Sequence, residues 1–187
     1  MFSEKGNFLL RPSLYAMSQL GGPEEIVRTY ASVMNGNLMD SVGVLHACTE
    51  EDLSGVFGYY ESTDSGTRYI PGRAPTEQLV LLAQCLVKHG VTGALVPLPR
   101  RAGEDPEFVT GFHVREHVAM AVAHLGIQEE AAWNMTMTSL VGALRAKFPL
   151  LEKDNPGAKA PTAEEHDATM EWFDKVEMVR KAAQGAH

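Results

Sequence analysis

The stretch Gly111–Phe148, GFHVREHVAMAVAHLGIQEEAAWNMTMTSLVGALRAKF, reads as three helices in succession. Val114, Val118, Ala121, Val122 and Leu125 recur at helical spacing, so they share the buried face of a helix over His113–Leu125, which Gly126 ends. Gln128–Trp133 is a second, short helix with Glu129 and Glu130 in its first turn. Thr136 then caps a third, in which Met137, Leu140, Val141, Leu144 and Phe148 share a face until Pro149 stops it. Three helices, each with one apolar face, need other helices to cover them.

Working outward, the same periodicity recurs. Leu14, Met17 and Leu20 mark a short helix stopped by Gly21-Gly22, and Pro23-Glu24-Glu25 opens a helix to about Met34 that buries Ile26, Val27, Tyr30 and Met34. Asn35-Gly36-Asn37 is a turn, and Leu38–Cys48 is a helix with Leu38, Val42, Leu45 and Cys48 inward. Over Pro75–His89, Leu79, Leu82, Ala83 and Leu86 form one face while Leu81 and Cys85 make the back apolar too, which predicts a helix central to the core with Gly90 as its left-handed cap. Gly6–Arg11, closed by Pro12, suits a strand or extended arm at an edge. Tyr59, Tyr60 and Tyr69 bracket Ser62–Gly66, which fits a hairpin with a polar tip or an exposed loop, with a loop of some strand character favoured, and residues 93–106 are a proline-bearing surface connection.

The expected fold is therefore mainly α: a compact multi-helix domain over residues 1–150 with at most a small N-terminal β element. Residues 151–161, rich in Pro and Gly, form a linker, and residues 162–187 a tethered amphipathic helix. That last helix opens on a capping box, Thr162 with Glu165, and aligns Trp172, Phe173, Val176 and Val179. Its stripe either docks on its own core or binds a partner.

Composition narrows the function. Sixteen Lys and Arg against 24 Asp and Glu give a net charge of −8, the wrong sign for neutralising phosphates, so nucleic acid is not an expected partner. Two cysteines, Cys48 and Cys85, are too few for a disulfide framework, and the N-terminus MFSEKGNFLLRPS lacks the features of a secretory signal. No apolar run approaches the roughly 18 residues of a membrane span, so a cytoplasmic protein without membrane contact is expected.

One motif points to an enzyme. His113-Val114-Arg115-Glu116-His117 satisfies H-x-x-E-H, in which two histidines four apart ligate zinc and the glutamate acts as general base. A third protein ligand is required, and the downstream candidates Glu152, Glu164 and Glu165 fall in or beyond the linker. His124 stands seven residues past His117, about 10 Å along a helix and out of reach of the same ion. The histidines read best as boundary residues of an amphipathic helix, with no metal and no cofactor. Cys85 with His89, and His46 near Cys48, make a second conceivable ligand set, although a free cysteine more simply packs as a small apolar residue.

The helix, Leu125-Gly126 break, Ala131-Ala132-Trp133 turn and Met135-Thr136 cap of Gly111–Phe148 resemble a module of tail assembly chaperones of long-tailed, siphophage-type bacteriophages. A weaker likeness extends to Phe8–Ser13, Gly22–Val27, Leu82–Gln84 and His89-Gly90. The resemblance implies a non-enzymatic helper in the host cytoplasm that binds the tape measure protein, the tail tube protein or both during tail morphogenesis, forms a homo-oligomer in some cases and is absent from the mature virion. The expected partner-binding residues are Trp133, Met137, Leu140 and Leu144, with Trp172, Phe173 and Val176 on the last helix. The alternatives are a virion structural or adaptor protein, a phage protein that blocks a host system, and a small zinc metallohydrolase using His113, Glu116 and His117.

Overall fold

A computed structural model describes residues 2–3, 6–64, 66–96, 109–149 and 170. The chain divides into two compact units, Met1–Leu98 with Ala102–Phe148, and Pro99–Arg101 with Pro149–His187. The expected linker at 151–161 and helix at 162–187, with Thr162, Glu165, Trp172, Phe173, Val176 and Val179, lie outside the described residues; of that range Met170 is described, helical and exposed.

The first unit is mainly α, as the periodicity implies. Two minimal strands, β1 (Phe2–Ser3) and β2 (Gly6–Asn7), pair antiparallel. Helices α1 (Leu14–Ser18), α2 (Pro23–Met34), α3 (Leu38–Ala47) and α4 (Ser54–Phe57) follow, then a hairpin of β3 (Tyr59–Thr63) and β4 (Gly66–Ile70). Helix α5 (Thr76–Val87), α6 (Val114–Met120), α7 (Glu129–Trp133) and α8 (Met137–Lys147) complete it.

Local chemistry sets the helix starts. Ser13 Oγ accepts from the Ala16 N–H at 3.1 Å, Asn37 Oδ1 from Asp40 at 3.1 Å and Thr136 Oγ1 from Ser139 at 3.1 Å. At α2 the Glu25 carboxylate accepts from the Gly22 N–H at 2.7 Å, ahead of Pro23. Packing supplies the rest: α3 lies along α5, α2 closes on both, and α1 sits among α3, α6 and α7. Leu14, Met17, Ile26, Leu45, Phe57, Leu79 and Leu140 are fully buried, each stabilising the fold by about 1.5–3 kcal/mol relative to exposure.

Two helices are not α-helical to their ends. Helix α5 continues into a π turn at Lys88–Thr92, and α6 into another at Ala121–Leu125. A π turn bonds i to i+5, so it takes in an extra residue and rotates the side chains that follow. Val122, expected to be buried, is accordingly exposed. Gly126 does end its helix in the left-handed region, at φ 70°, but Gly90 does not cap α5. It lies inside the first π turn, where a Cβ would stand 2.6 Å from Met17 Sδ, so its role is close packing rather than chain reversal.

Three further expectations are corrected. Helix α5 is not buried all round: its Leu79–Ala83–Leu86 face meets α3 and α2, while Leu81 is 65% exposed and Cys85 is exposed. Phe148 falls just past α8, where the backbone leaves the helical region, and swings out to meet the His124 ring edge-on at 5.7 Å. Residues 59–70 form the hairpin rather than the favoured loop. Cross-strand pairs hold it, Tyr60 against Tyr69 with ring centroids 5.1 Å apart and Glu61 with Arg68 at 3.2 Å, and Tyr69 Oη donates to the Phe57 carbonyl at 2.7 Å. Both faces are largely exposed, so no apolar alternation marked it in the sequence.

Gly90→Ala is expected to lower stability by about 1–3 kcal/mol through overpacking against Met17. In a Met17→Ala background the same change should cost much less, and chemical denaturation of the four proteins in a double-mutant cycle measures that coupling.

Candidate partner-binding surface

The short helix α1 cannot bury both its faces. With Leu14, Ala16 and Met17 turned inward, Tyr15 points out and is 58% exposed. Across from it stands Trp133, the last residue of α7, whose ring meets Tyr15 edge-on with centroids 6.4 Å apart and planes at 84°. The Arg115 guanidinium of α6 lies 5.9 Å from the Trp133 ring, and the indole N–H donates to Glu129 Oε1 at 3.2 Å. A cation over the ring and a carboxylate on its N–H orient an aromatic side chain that is only half-buried. Helix α1 and the sequence-distant pair α6 and α7 thus build one aromatic ridge.

Two clefts of about 430 Å³ apiece border the pair, one lined in part by Tyr15 and the other by Trp133. Leu9, Arg11, Tyr15, Glu50, Glu51 and Asn134 are among the residues of the first. Pro23, Phe112, His113, Arg115, Glu116 and Trp133 help line the second. Leu9 is 66% exposed, so the first cleft carries an apolar wall as well as its carboxylates.

Of the expected partner-binding residues, Trp133 joins this ridge. Met137 and Leu140 do not belong to any surface: they are 8% and 1% exposed, because α8 lays that face against the two π turns. Leu144 is half-buried against the same core. Trp172, Phe173 and Val176 lie outside the described residues. Tyr15 and Arg115 were not singled out from the sequence; the usable signal was Leu14-Tyr15-Ala16-Met17, in which an aromatic sits opposite two apolar positions on a helix too short to cover it.

The histidines are mostly engaged as fasteners. His113 stands at the N-cap of α6, exposed, with Nδ1 4.0 Å from Glu116 Oε1. His117 Nδ1 donates to the His113 carbonyl at 2.8 Å, and its ring stacks on Phe112 at 4.7 Å. His89 Nδ1 is 2.9 Å from Thr138 Oγ1, which also accepts from the Ala94 N–H at 2.9 Å, tying the first π turn to α8. His46 Nε2 donates to the Gly58 carbonyl at 2.9 Å, fixing the hairpin's root to α3. Among the described residues no group of three or more His, Cys, Asp or Glu is placed to hold a metal ion. No described helix is long and apolar enough to cross a membrane.

The cysteines differ in the same way. Burial pushes the Cys48 thiol up to about 12, so it stays protonated and unreactive in the folded protein, whereas Cys85 is exposed. A thiol-alkylating reagent at mildly alkaline pH should therefore modify Cys85 rapidly and Cys48 only after denaturant is added, which peptide mass mapping resolves.

No curated protein matches the chain, and no solved structure does. Residues 36–168, from the turn before α3 onward and across most of the chain, match the model of a family of unknown function, DUF6246. The chain therefore belongs to the DUF6246 family.

Proposed function

We propose that this protein is a non-enzymatic binding protein of the tail assembly chaperone kind, which holds an apolar helical segment of a phage tail protein on its Tyr15–Trp133 ridge. The observation that carries the reading is the aromatic pair, Tyr15 exposed and Trp133 half-buried, with Trp133 oriented by Arg115 and Glu129. Trp, Tyr and Arg are the side chains that dominate binding energy at protein interfaces, and a ring held in place beforehand loses little entropy when a partner arrives. The flanking clefts suit a helix laid across the ridge, with its apolar residues entering on either side.

The resemblance of Gly111–Phe148 supplies the setting. The partner in this reading is the tape measure protein, with the tube protein as its successor on the assembling tail. The protein acts in the host cytoplasm, has no turnover of its own and does not remain in the virion. Met137 and Leu140 drop out as contacts, and Tyr15 and Arg115 replace them beside Trp133.

In a pull-down from phage-infected cells, the wild-type chain should recover the tape measure protein and a Tyr15→Ala, Trp133→Ala variant should not, with circular dichroism unchanged. Each truncation is expected to cost about 2 kcal/mol of binding. Recovery of the chain at fixed copy number in purified virions would replace the chaperone reading with that of a virion component.

A further inference from the structure

We infer that the segment taken up by the ridge is cationic: an amphipathic helix whose apolar face meets Tyr15 and Trp133 and whose flanks carry Lys or Arg. The inference rests on the reading of the ridge as a binding surface and adds the chemistry of the partner. Glu50 and Glu51 line the first cleft beside Tyr15, Glu116 lines the second, and Glu129 and Glu130 open α7 itself. Against these five carboxylates stand two guanidiniums, Arg11 and Arg115.

Glu116 has the His113 imidazole 4.0 Å away, and the other four carboxylates have no basic partner among the described residues. Among the described residues Glu50, Glu51 and Glu130 take part in no ion pair, and Glu129 is bonded to the indole N–H rather than to a cation. An uncharged or acidic helix lying on the ridge would strip water from these groups and return nothing for it. A helix with basic flanks matches them within a Debye length while its apolar face still covers the rings. Single exposed pairs contribute little, but carboxylates in both clefts that border one aromatic ridge act together on encounter rate and on orientation.

Isothermal titration calorimetry on the full chain tests this with two synthetic amphipathic helices that share one leucine face, the first flanked by lysines and the second by glutamates. The lysine peptide should bind at least about tenfold more tightly at low salt, and the gap should narrow as salt is raised. A Glu50→Gln, Glu51→Gln, Glu130→Gln variant should lose about tenfold in affinity for the lysine peptide, whereas Glu77→Gln, a carboxylate of α5 that lines neither cleft, should leave it unchanged. Equal binding of the two peptides, no binding of the lysine peptide, or an unchanged affinity in the triple variant would each overturn the inference. In the first and last of these cases, a loss of affinity in Tyr15→Ala leaves the ridge as a binding surface for helices of other charge. If Tyr15→Ala, Trp133→Ala binds both peptides as well as the wild-type chain, the ridge reading itself fails.

Discussion

The first unit depends on how the segment Arg11–Met17 is fastened. The Arg11 N–H donates to the Cys48 carbonyl at 2.7 Å, joining the end of α3; the Leu14 N–H donates to the Met135 carbonyl at 2.7 Å, joining the link between α7 and α8. Met17 fills the space that Gly90 leaves open in the first π turn. Leu14 and Met17 are fully buried by these neighbours, so a helix of five residues, too short to be stable alone, becomes the point where α3, α6 and α7 converge. Tyr15 owes its outward position to the same arrangement. The candidate binding surface is the reverse side of the core's central peg.

The parts of this architecture that were legible in the sequence are those set by neighbouring residues. Helix α2 begins at Pro23 and ends at Met34 where its proline, acidic first turn and Asn-Gly turn put it, and Thr136 opens α8 as its side chain requires. The π turns were not legible, because whether a helix closes on i+4 or i+5 is decided by what it packs against: Thr138 for the first, and α8 again for the second. Periodicity alone therefore buried Val122 and made Gly90 a cap. Met137, Leu140, Val141 and Leu144 do share a face of α8, with Phe148 lying off it, but neighbours, not composition, determine that this face turns inward. The ridge was half legible. Trp133 stood out as a residue type; its pairing with Tyr15 joins α7 to α1 across most of the described chain.

The histidines show that the spacing of a ligand motif also serves to fasten a helix. Four-residue spacing places two rings on one side of a helix whether they hold an ion or a backbone carbonyl. Here His117 reaches back to the carbonyl of His113, and His89 reaches across to Thr138. Both rings fasten the chain where the helix is irregular, His117 at the start of α6 and His89 inside the first π turn. The spacing that suits a metal also suits that task.

The tie between Leu14 and Met135 also bears on the order of synthesis. The ribosome delivers the peg first and its socket last: α1 emerges well before Met135, the α7 indole and the buried face of α8 exist. Until then Leu14 and Met17 have no complete covering, and closing the loop between them and Met135 is a late, long-range event. A chain released before α7 would lack the Met135 carbonyl that holds α1 and the Leu140 side chain that helps complete the core. The aromatic ridge needs Trp133 and does not form on such a fragment, so the proposed binding surface also reports that translation has passed α7.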